Sequence, residues 1–208
     1  MDDGGVLESD GLVPAQYAAL VTSALSTGHL STRSELLRGL GSQTRSASEA
    51  DAFRLIGPVG VVSISDHPVF RWQPMKEAQT YSVVLRDAES NYEVESEALS
   101  KPAWRPTKGF RRGRTYSWVV IATLDDGKRV YVPGAGSPAA MFKVLDRASS
   151  DELEKAKTRR SHVLMAVLYA RHGLVGEARS ELNALERENP HSPIIERLRR
   201  SLKSELTR

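Results

Sequence analysis

The sequence predicts an α+β protein in which an all-β sandwich lies between an N-terminal helix and a C-terminal helical hairpin. From Phe53 to Leu145 the apolar residues form about seven short runs with the two-residue period of strands, and turn signals separate the runs. After Leu145 the apolar residues recur at helical spacing. We therefore divide the chain into residues 1–51, 52–146 and 147–208.

The first of these regions is expected to hold a disordered tail, a short helix and a linker. Residues 1–12 are acidic and Gly-rich, with little to bury. Apolar residues then recur at helical spacing over residues 14–27, and Gly28 is a typical stop. A weaker helical signal covers Ser34 to Leu40, and residues 41–51 resemble a linker in composition. We expect the helix at 14–27 to pack as a strap against the main domain.

The strongest strand signal in the sandwich region is Thr115 to Leu124, where residues of high β propensity alternate in and out. Asp125 to Lys128 follows as a tight turn, because Asp-Gly favours positive φ, and Arg129 to Val132 returns from it. Trp72 and Trp118 occupy inward-facing positions of their strands, so we assign both to the core.

Two predicted helices form a hairpin after the sandwich, and a third caps it. Ser149 or Ser150 can cap the start of the helical region, because acidic residues follow in what would be the first turn. Gly173 and Gly176 mark the turn of the hairpin, and Pro190 with Pro193 ends its second helix. The last helix, residues 193–206, places basic residues on its solvent side.

Composition and charge exclude several classes of function. The chain has 29 basic and 26 acidic residues, a net charge of only +3, which gives no electrostatic case for nucleic acid. It contains no Cys, which excludes disulfides and thiolate metal sites. No apolar run is long enough for a membrane segment, and the first residues lack a signal-peptide pattern. We expect a soluble chain, cytoplasmic if complete and extracytoplasmic if it is the soluble part of an anchored protein.

The residues that usually carry chemistry form no catalytic, cofactor or metal constellation in the sequence. None of the five histidines makes a short-spaced ligand pair with another. The carboxylates of Asp125 and Asp126 fit a hairpin turn, and those of Glu93 and Glu95 fit the solvated face of a strand. The Gly-rich stretch around Gly134 fits a bulged crossing into the last strand rather than a phosphate cradle. We therefore expect no enzyme and no cofactor, although a hydrolase site assembled from distant sandwich loops stays open.

Residues 58–145 resemble a bacterial fibronectin type III-like domain, a sandwich of the immunoglobulin-like kind. The residues that carry the resemblance lie on four strands: Pro68, Phe70 and Trp72; Tyr81, Val83 and Leu85; Gly113, Tyr116 and Trp118; Phe142 and Val144. Sandwich domains share such patterns without sharing a function. The resemblance therefore implies a fold and no specific activity.

The C-terminal region looks like a single tetratricopeptide repeat. The residues that match the spacing of this family are Tyr169, Gly173, Ala178, Leu182 and Pro190, with His162 in place of the usual early Trp and Ala166 as the small residue after it. One repeat cannot bury its own apolar faces. It should pack on the sandwich, on the N-terminal helix or on a second copy of the chain, so a homodimer is one expectation. The whole arrangement is similar to the soluble portions of uncharacterised bacterial envelope-associated proteins.

The repeat resemblance also implies a binding surface. In that family the inner face of the first helix contacts peptides, and the matching positions here are Arg160, Val163, Val167, Ala170 and Arg171. Two arginines that frame small apolar residues suit an acidic or C-terminal peptide. The alternative is that the same face is buried against the sandwich. Our hypothesis is a non-enzymatic protein–protein interaction or structural module with a protein or peptide partner.

A second hypothesis is an accessory domain that binds carbohydrate or an envelope polymer. Lys108, Arg111, Arg112 and Arg114 form a basic cluster, with Phe110 inside it and Trp104 just before it. Basic residues interleaved with aromatic residues can bind an anionic polymer. The alternative is that Trp104 and Phe110 anchor the core while the arginines are solvated.

Overall fold

The computed structural model describes residues 13–32, 40 and 53–204, and these form a mixed α+β protein with five helices and two sheets. The predicted tail, the linker and all but Leu40 of the weak helical signal lie outside the described residues. The chain divides into two compact units. We call the described residues 53–146 the β unit, and residues 13–32 with 147–204 the helical unit.

The β unit contains nine strands within residues 53–146. They are β1 (Leu55–Gly57), β2 (Val61–Ser63), β3 (Phe70–Trp72), β4 (Ala78–Asp87), β5 (Glu93–Glu95), β6 (Ala103–Trp104), β7 (Thr115–Leu124), β8 (Arg129–Val132) and β9 (Ala140–Val144). The bounds of β7 and β8 are those predicted from the sequence. The two strands beyond the expected seven are β1, which residues 58–60 separate from β2, and β6, a pair of residues between two prolines.

Two sheets are built from these strands. One has the order β1-β3-β6, and the other has the order β2-β9-β7-β4-β5, with β8 also paired to β7. All pairs are antiparallel except β2 with β9, which is parallel. β8 and β9 share one edge of β7, since Val132 pairs with Val120 and Ala140 pairs with Trp118. Residues 133–139 therefore bulge out opposite Val119, as predicted for the Gly-rich crossing.

The core of the β unit is built from side chains of both sheets. The Phe70 ring of β3 lies 4.9 Å from that of Trp118 and 5.4 Å from that of Phe142, measured between ring centroids. Trp72 packs edge-on against Tyr81 at 5.4 Å. These residues alternate with solvent-facing neighbours along their strands, which is why one face of each sheet is apolar. Trp72 and Trp118 are buried, as predicted.

The helical unit contains five helices within the described residues. They are α1 (Ala15–Thr27), α2 (Arg147–Lys157), α3 (His162–Arg171), α4 (Val175–Glu188) and α5 (Pro193–Ser204). None of them combines the length and hydrophobicity needed to cross a bilayer. α3 packs against α1, α2 and α4, and α5 packs against α4 and α1. Of the three supports expected for the predicted repeat, the structure shows the N-terminal helix, which packs on the α3–α4 hairpin.

Both ends of α3 are fixed by local hydrogen bonds. Ser161 caps the start, because its Oγ accepts a hydrogen bond from the Leu164 N–H at 3.3 Å. At the other end Gly173 has a φ of 74°. The Gly173 N–H donates to the Ala170 carbonyl and the Leu174 N–H donates to the Tyr169 carbonyl, each at 2.9 Å. This pair of bonds is the Schellman motif, in which glycine is the favoured residue.

Two predicted helix boundaries are wrong. α2 begins at Arg147, so Ser149 and Ser150 lie inside it, and no acidic residue falls in its first turn. Arg147 and Ala148 are good helix formers, so the helix starts almost as soon as β9 ends. Gly176 does not belong to the hairpin turn, because it lies inside α4. α4 ends at Glu188, just before Pro190, and Pro193 is the first residue of α5, where a missing backbone N–H costs nothing.

Candidate functional site

The helical unit contains a cleft of about 510 Å³ between α1, α2 and the C-terminal end of α3. This volume lies within the usual range for ligand-binding clefts. The lining residues are Gln16, Tyr17, Ala148, Ser149, Asp151, Glu152, Lys155, Arg171 and His172. Most of them are polar or charged, so the cleft can make hydrogen bonds and ionic contacts with a ligand.

The polar lining from α2 follows from helical periodicity. Ala148, Asp151, Glu152 and Lys155 are spaced at i, i+3, i+4 and i+7, which places them along one face of the helix. Leu153 of α2 is buried in the same unit. Burial of that side chain fixes the rotation of α2, so the polar stripe is held towards the cleft. The spacing of these four residues is visible in the sequence. It predicts a polar helix face, whereas the acidic residues alone suggested the first turn of a helix.

α3 contributes its last residue and its cap to the cleft. His172 caps the helix, and its Nε2 lies 2.8 Å from Oε2 of Glu152 on α2. The His172 side chain is only 5% exposed, whereas that of Glu152 is 27% exposed. The pair therefore joins the end of α3 to α2 at the base of the cleft. The helix dipole also favours the positive charge of Arg171 in the last turn of α3.

Two cations line the cleft and are open to a ligand, Lys155 and Arg171. Glu152 lies against His172, and the remaining carboxylate of the lining is that of Asp151. Among the residues that the structure describes, neither Lys155 nor Arg171 takes part in an ion pair. Arg presents a planar fork of donors that matches a carboxylate, and Lys presents a point charge. The cleft can therefore accept a carboxylate from outside the chain.

The structure separates the five residues that were predicted to bind a peptide. Val163, Val167 and Ala170 are 2%, 3% and 0% exposed, so they are not available to a partner in this conformation. Residues 163–170 are all buried, because α3 is apolar all round and is packed by three helices. Arg160 precedes α3 and is exposed, whereas Arg171 ends the helix about 16 Å further along. Only Arg171 lines the cleft.

The apolar flank that motivated a homodimer is also covered. Within the described residues, the large apolar side chains that are exposed are Ile56, Val61, Tyr92 and Tyr131. All four belong to the β unit. In the helical unit, α1 packs on α3 and covers one flank of the α3–α4 hairpin. Its buried residues are Tyr17, Val21 and Ala24. Dimerisation through the repeat therefore stays a prediction without an exposed apolar surface to support it.

The basic cluster of the β unit divides into structural and exposed side chains. Arg112 donates to the Ile64 carbonyl at 3.1 Å and lies 3.7 Å from Asp66. Arg114 pairs with Glu89. These two arginines therefore hold loops together, whereas Lys108 and Arg111 are exposed.

The aromatic residues near that cluster belong largely to the core. Phe110 is buried, with its ring 6.1 Å from that of Phe70. Trp104 is half-buried and packs 5.2 Å from the same ring. The Tyr116 hydroxyl accepts a hydrogen bond from the Arg111 N–H at 2.9 Å, which ties the loop before β7 to that strand. Phe110 is therefore not available to contact a carbohydrate or envelope polymer, as the second hypothesis required.

Asp66 supplies the carboxylate that contacts Arg112 of this basic cluster. Its Oδ1 lies 2.8 Å from His67 Nδ1, and its carbonyl accepts a hydrogen bond from the Phe110 N–H at 2.8 Å. The hydrogen bond from His67 holds the pKa of the Asp66 carboxyl below its ordinary value, and the Arg112 charge acts in the same direction. Asp66 thus joins two loops and is ionised at neutral pH.

One further histidine, His162, lies between two glutamates and joins two helices. His162 Nδ1 lies 2.6 Å from Glu181 Oε2, and its Nε2 lies 3.5 Å from Glu188 Oε1. Both glutamates belong to α4, so this contact joins the start of α3 to its hairpin partner. In the part of the chain that the structure describes, no group of three or more His, Cys, Asp or Glu side chains is arranged to hold a metal ion.

Comparison with known proteins does not assign the chain to a family. The cleft of the helical unit and the basic loop of the β unit are thus the two features from which a function can be argued. The resemblances to fibronectin type III-like domains and to a tetratricopeptide repeat stay predictions. No protein-family model matches the chain, and no curated protein matches its sequence significantly.

Proposed function

We propose that this protein is a non-enzymatic protein–protein interaction module and that the cleft of the helical unit receives a carboxylate of its partner. The observation that carries the proposal is the position of Lys155 and Arg171. They come from different helices, line one cleft and have no ion pair with any residue that the structure describes. Asp or Glu side chains and a free C-terminus are the carboxylates that proteins present. An acidic or C-terminal peptide is therefore the partner that fits.

The wider assignment to a fibronectin type III-like sandwich with a tetratricopeptide-like hairpin is part of the same proposal. The strand orders β1-β3-β6 and β2-β9-β7-β4-β5 support a sandwich of this kind. The hydrogen bond from the Arg111 N–H to the Tyr116 hydroxyl supports it too. In immunoglobulin-like sandwiches a tyrosine near the start of a strand typically bonds in this way to the backbone a few residues upstream, an arrangement called a tyrosine corner. The α3–α4 hairpin with its glycine turn supports the repeat. Modules of both kinds are used in binding more often than in catalysis.

The test uses a defined set of peptides and a matched control. The full chain would be panned against random peptides displayed with free C-termini, and enriched peptides would be synthesised and titrated by fluorescence anisotropy. The cleft variant is Lys155→Glu with Arg171→Glu. The control variant is Arg160→Glu with Arg187→Glu, which makes the same charge change at exposed positions of the same unit that do not line the cleft.

We expect enrichment of peptides with acidic residues or a required free carboxylate. Loss of charge-assisted hydrogen bonds of about 1.5–3 kcal/mol corresponds to a rise in Kd of roughly ten- to a hundredfold in the cleft variant. The control should bind within about twofold of wild type, and circular dichroism should show that both variants are folded. Equal loss in both variants, or no enriched peptide, would argue against the cleft and leave a structural role.

A further inference from the structure

One segment of the β unit carries positive charge without acidic residues. Between Ala98 and Leu124 the chain has six basic residues and no Asp or Glu. Two of the six, Arg112 and Arg114, are matched by Asp66 and Glu89 from other parts of the unit. The remaining ones are exposed and have no ion pair among the described residues: Lys101, Arg105, Lys108 and Arg111.

Three of these exposed cations lie on a single loop between β6 and β7. Arg105, Lys108 and Arg111 are three residues apart, so neighbouring Cα atoms are at most about 11 Å apart. This spacing is close to the Debye length of about 8–10 Å at physiological ionic strength, so their fields overlap. The three side chains therefore act on a ligand as one positive surface, which we call the loop surface.

The loop surface has a fixed framework. The Phe110 N–H donates to the Asp66 carbonyl, and the Arg111 N–H donates to the Tyr116 hydroxyl. Phe110 lies between Lys108 and Arg111 in the sequence, and its ring is buried in the core. A charged surface on a fixed loop loses less conformational entropy on binding than one on a mobile segment.

We propose that the loop surface binds an acidic polysaccharide. This interaction lies beyond the peptide-binding function, in the other unit of the chain. A row of cations spaced along a loop complements a polymer whose anionic groups repeat, and it does not form the enclosed pocket that a single small anion needs.

Nucleic acid fits the same charges less well. Proteins that bind single strands stack bases on exposed aromatic rings, and proteins that read duplexes insert a helix or a strand pair into a groove. Here the Phe110 ring is buried and the Trp104 ring is packed on Phe70. The loop thus offers charge without a stacking platform, which suits a polymer recognised through its anionic groups.

The experiment compares two triple variants of the full chain. The loop variant carries Arg105→Glu, Lys108→Glu and Arg111→Glu. The control variant carries Lys76→Glu, Lys128→Glu and Arg129→Glu, which are exposed and lie where β4 begins and β7 ends. Because β7 has ten residues, that end is about 30 Å from the loop surface. If the loop variant does not fold, the same three positions would be changed to Gln, which removes their positive charges without adding negative ones.

Binding would be measured by calorimetry with a heparin oligosaccharide and with alginate, and with neutral dextran and oligo(dT) as comparisons. For three released counterions we expect wild-type affinity for heparin to fall about 20- to 40-fold from 50 to 200 mM salt. The loop variant should lose this binding and the control should keep it. The proposal is overturned if neither acidic polysaccharide binds, if both variants lose binding equally, or if oligo(dT) binds as tightly through the same residues.

Discussion

The two core tryptophans of the β unit should respond very differently to the same substitution. Trp72 is 1% exposed and Trp118 is 2% exposed, so Trp→Phe removes a similar apolar contact at each site. The Trp118 Nε1–H donates to the Pro58 carbonyl at 2.7 Å. The Trp72 Nε1–H has no hydrogen-bond partner among the described residues. The comparison therefore sets a buried indole N–H with a hydrogen-bond partner against one without a partner.

The magnitudes follow from these contacts. Phe lacks about two buried carbon groups of Trp, which costs about 1.5 kcal/mol at each site. Trp118→Phe also loses a hydrogen bond worth about 1 kcal/mol, so its total is about 2.5 kcal/mol. Trp72→Phe removes an unpaired donor whose burial costs about 1–3 kcal/mol, so its net effect is close to zero. The expected difference in the free energy of unfolding is about 2 kcal/mol or more.

Urea unfolding followed by far-UV circular dichroism measures this difference, because fluorescence would change with the number of tryptophans. Equal m-values in both variants are required before the midpoints are compared. Trp104→Phe, at a half-buried site, is the control and should cost less than Trp118→Phe. If Trp72→Phe destabilises as much as Trp118→Phe, the hydrogen-bond account of the core is refuted.

Three further substitutions test local features of the two units. Gly173→Ala should destabilise the helical unit by about 1–2 kcal/mol in thermal unfolding, because the residue has a φ of 74°. Gly176→Ala should instead stabilise it by roughly 0.5–1 kcal/mol, since Gly176 lies in α4 and an added Cβ meets nothing within 4 Å. Asp66→Asn should destabilise the β unit at pH 7. That deficit should shrink as pH falls through and below the ordinary pKa of 3.8, because a lowered carboxyl pKa stabilises the fold only while the group is ionised. Urea unfolding at pH 7 and pH 3 measures this change.

Local patterns were sufficient to predict the β unit in some detail. The alternation of residues 115–124 gave β7 its correct bounds, because one side of that strand packs in the core. The Asp-Gly turn was correct as well, with Gly127 at a φ of 80°. Such features depend on neighbours in sequence or on a single period. They are therefore visible before the fold is known.

The cleft could not be predicted in the same way, because it depends on which helices pack together. The peptide-binding positions were transferred to α3 from a repeat family in which that helix lines an open groove. In this chain residues 163–170 are apolar without interruption, and an all-round apolar helix is expected to be buried. That signal was present in the sequence. The pairing of His172 with Glu152, in contrast, depends on the angle between α2 and α3, which no local pattern specifies.

The N-terminal helix connects the stability of the helical unit to its proposed function. A lone hairpin leaves apolar faces open, and α1 packs on α3 and α5 from the far end of the sequence. The segment after α1 is held too, since the Leu30 N–H donates to the Ser201 hydroxyl of α5 at 3.0 Å. The same helix supplies Gln16 and Tyr17 to the cleft. Binding by residues 147–208 alone would therefore lack both a packing element and one side of the site, so the peptide experiments require the chain with α1.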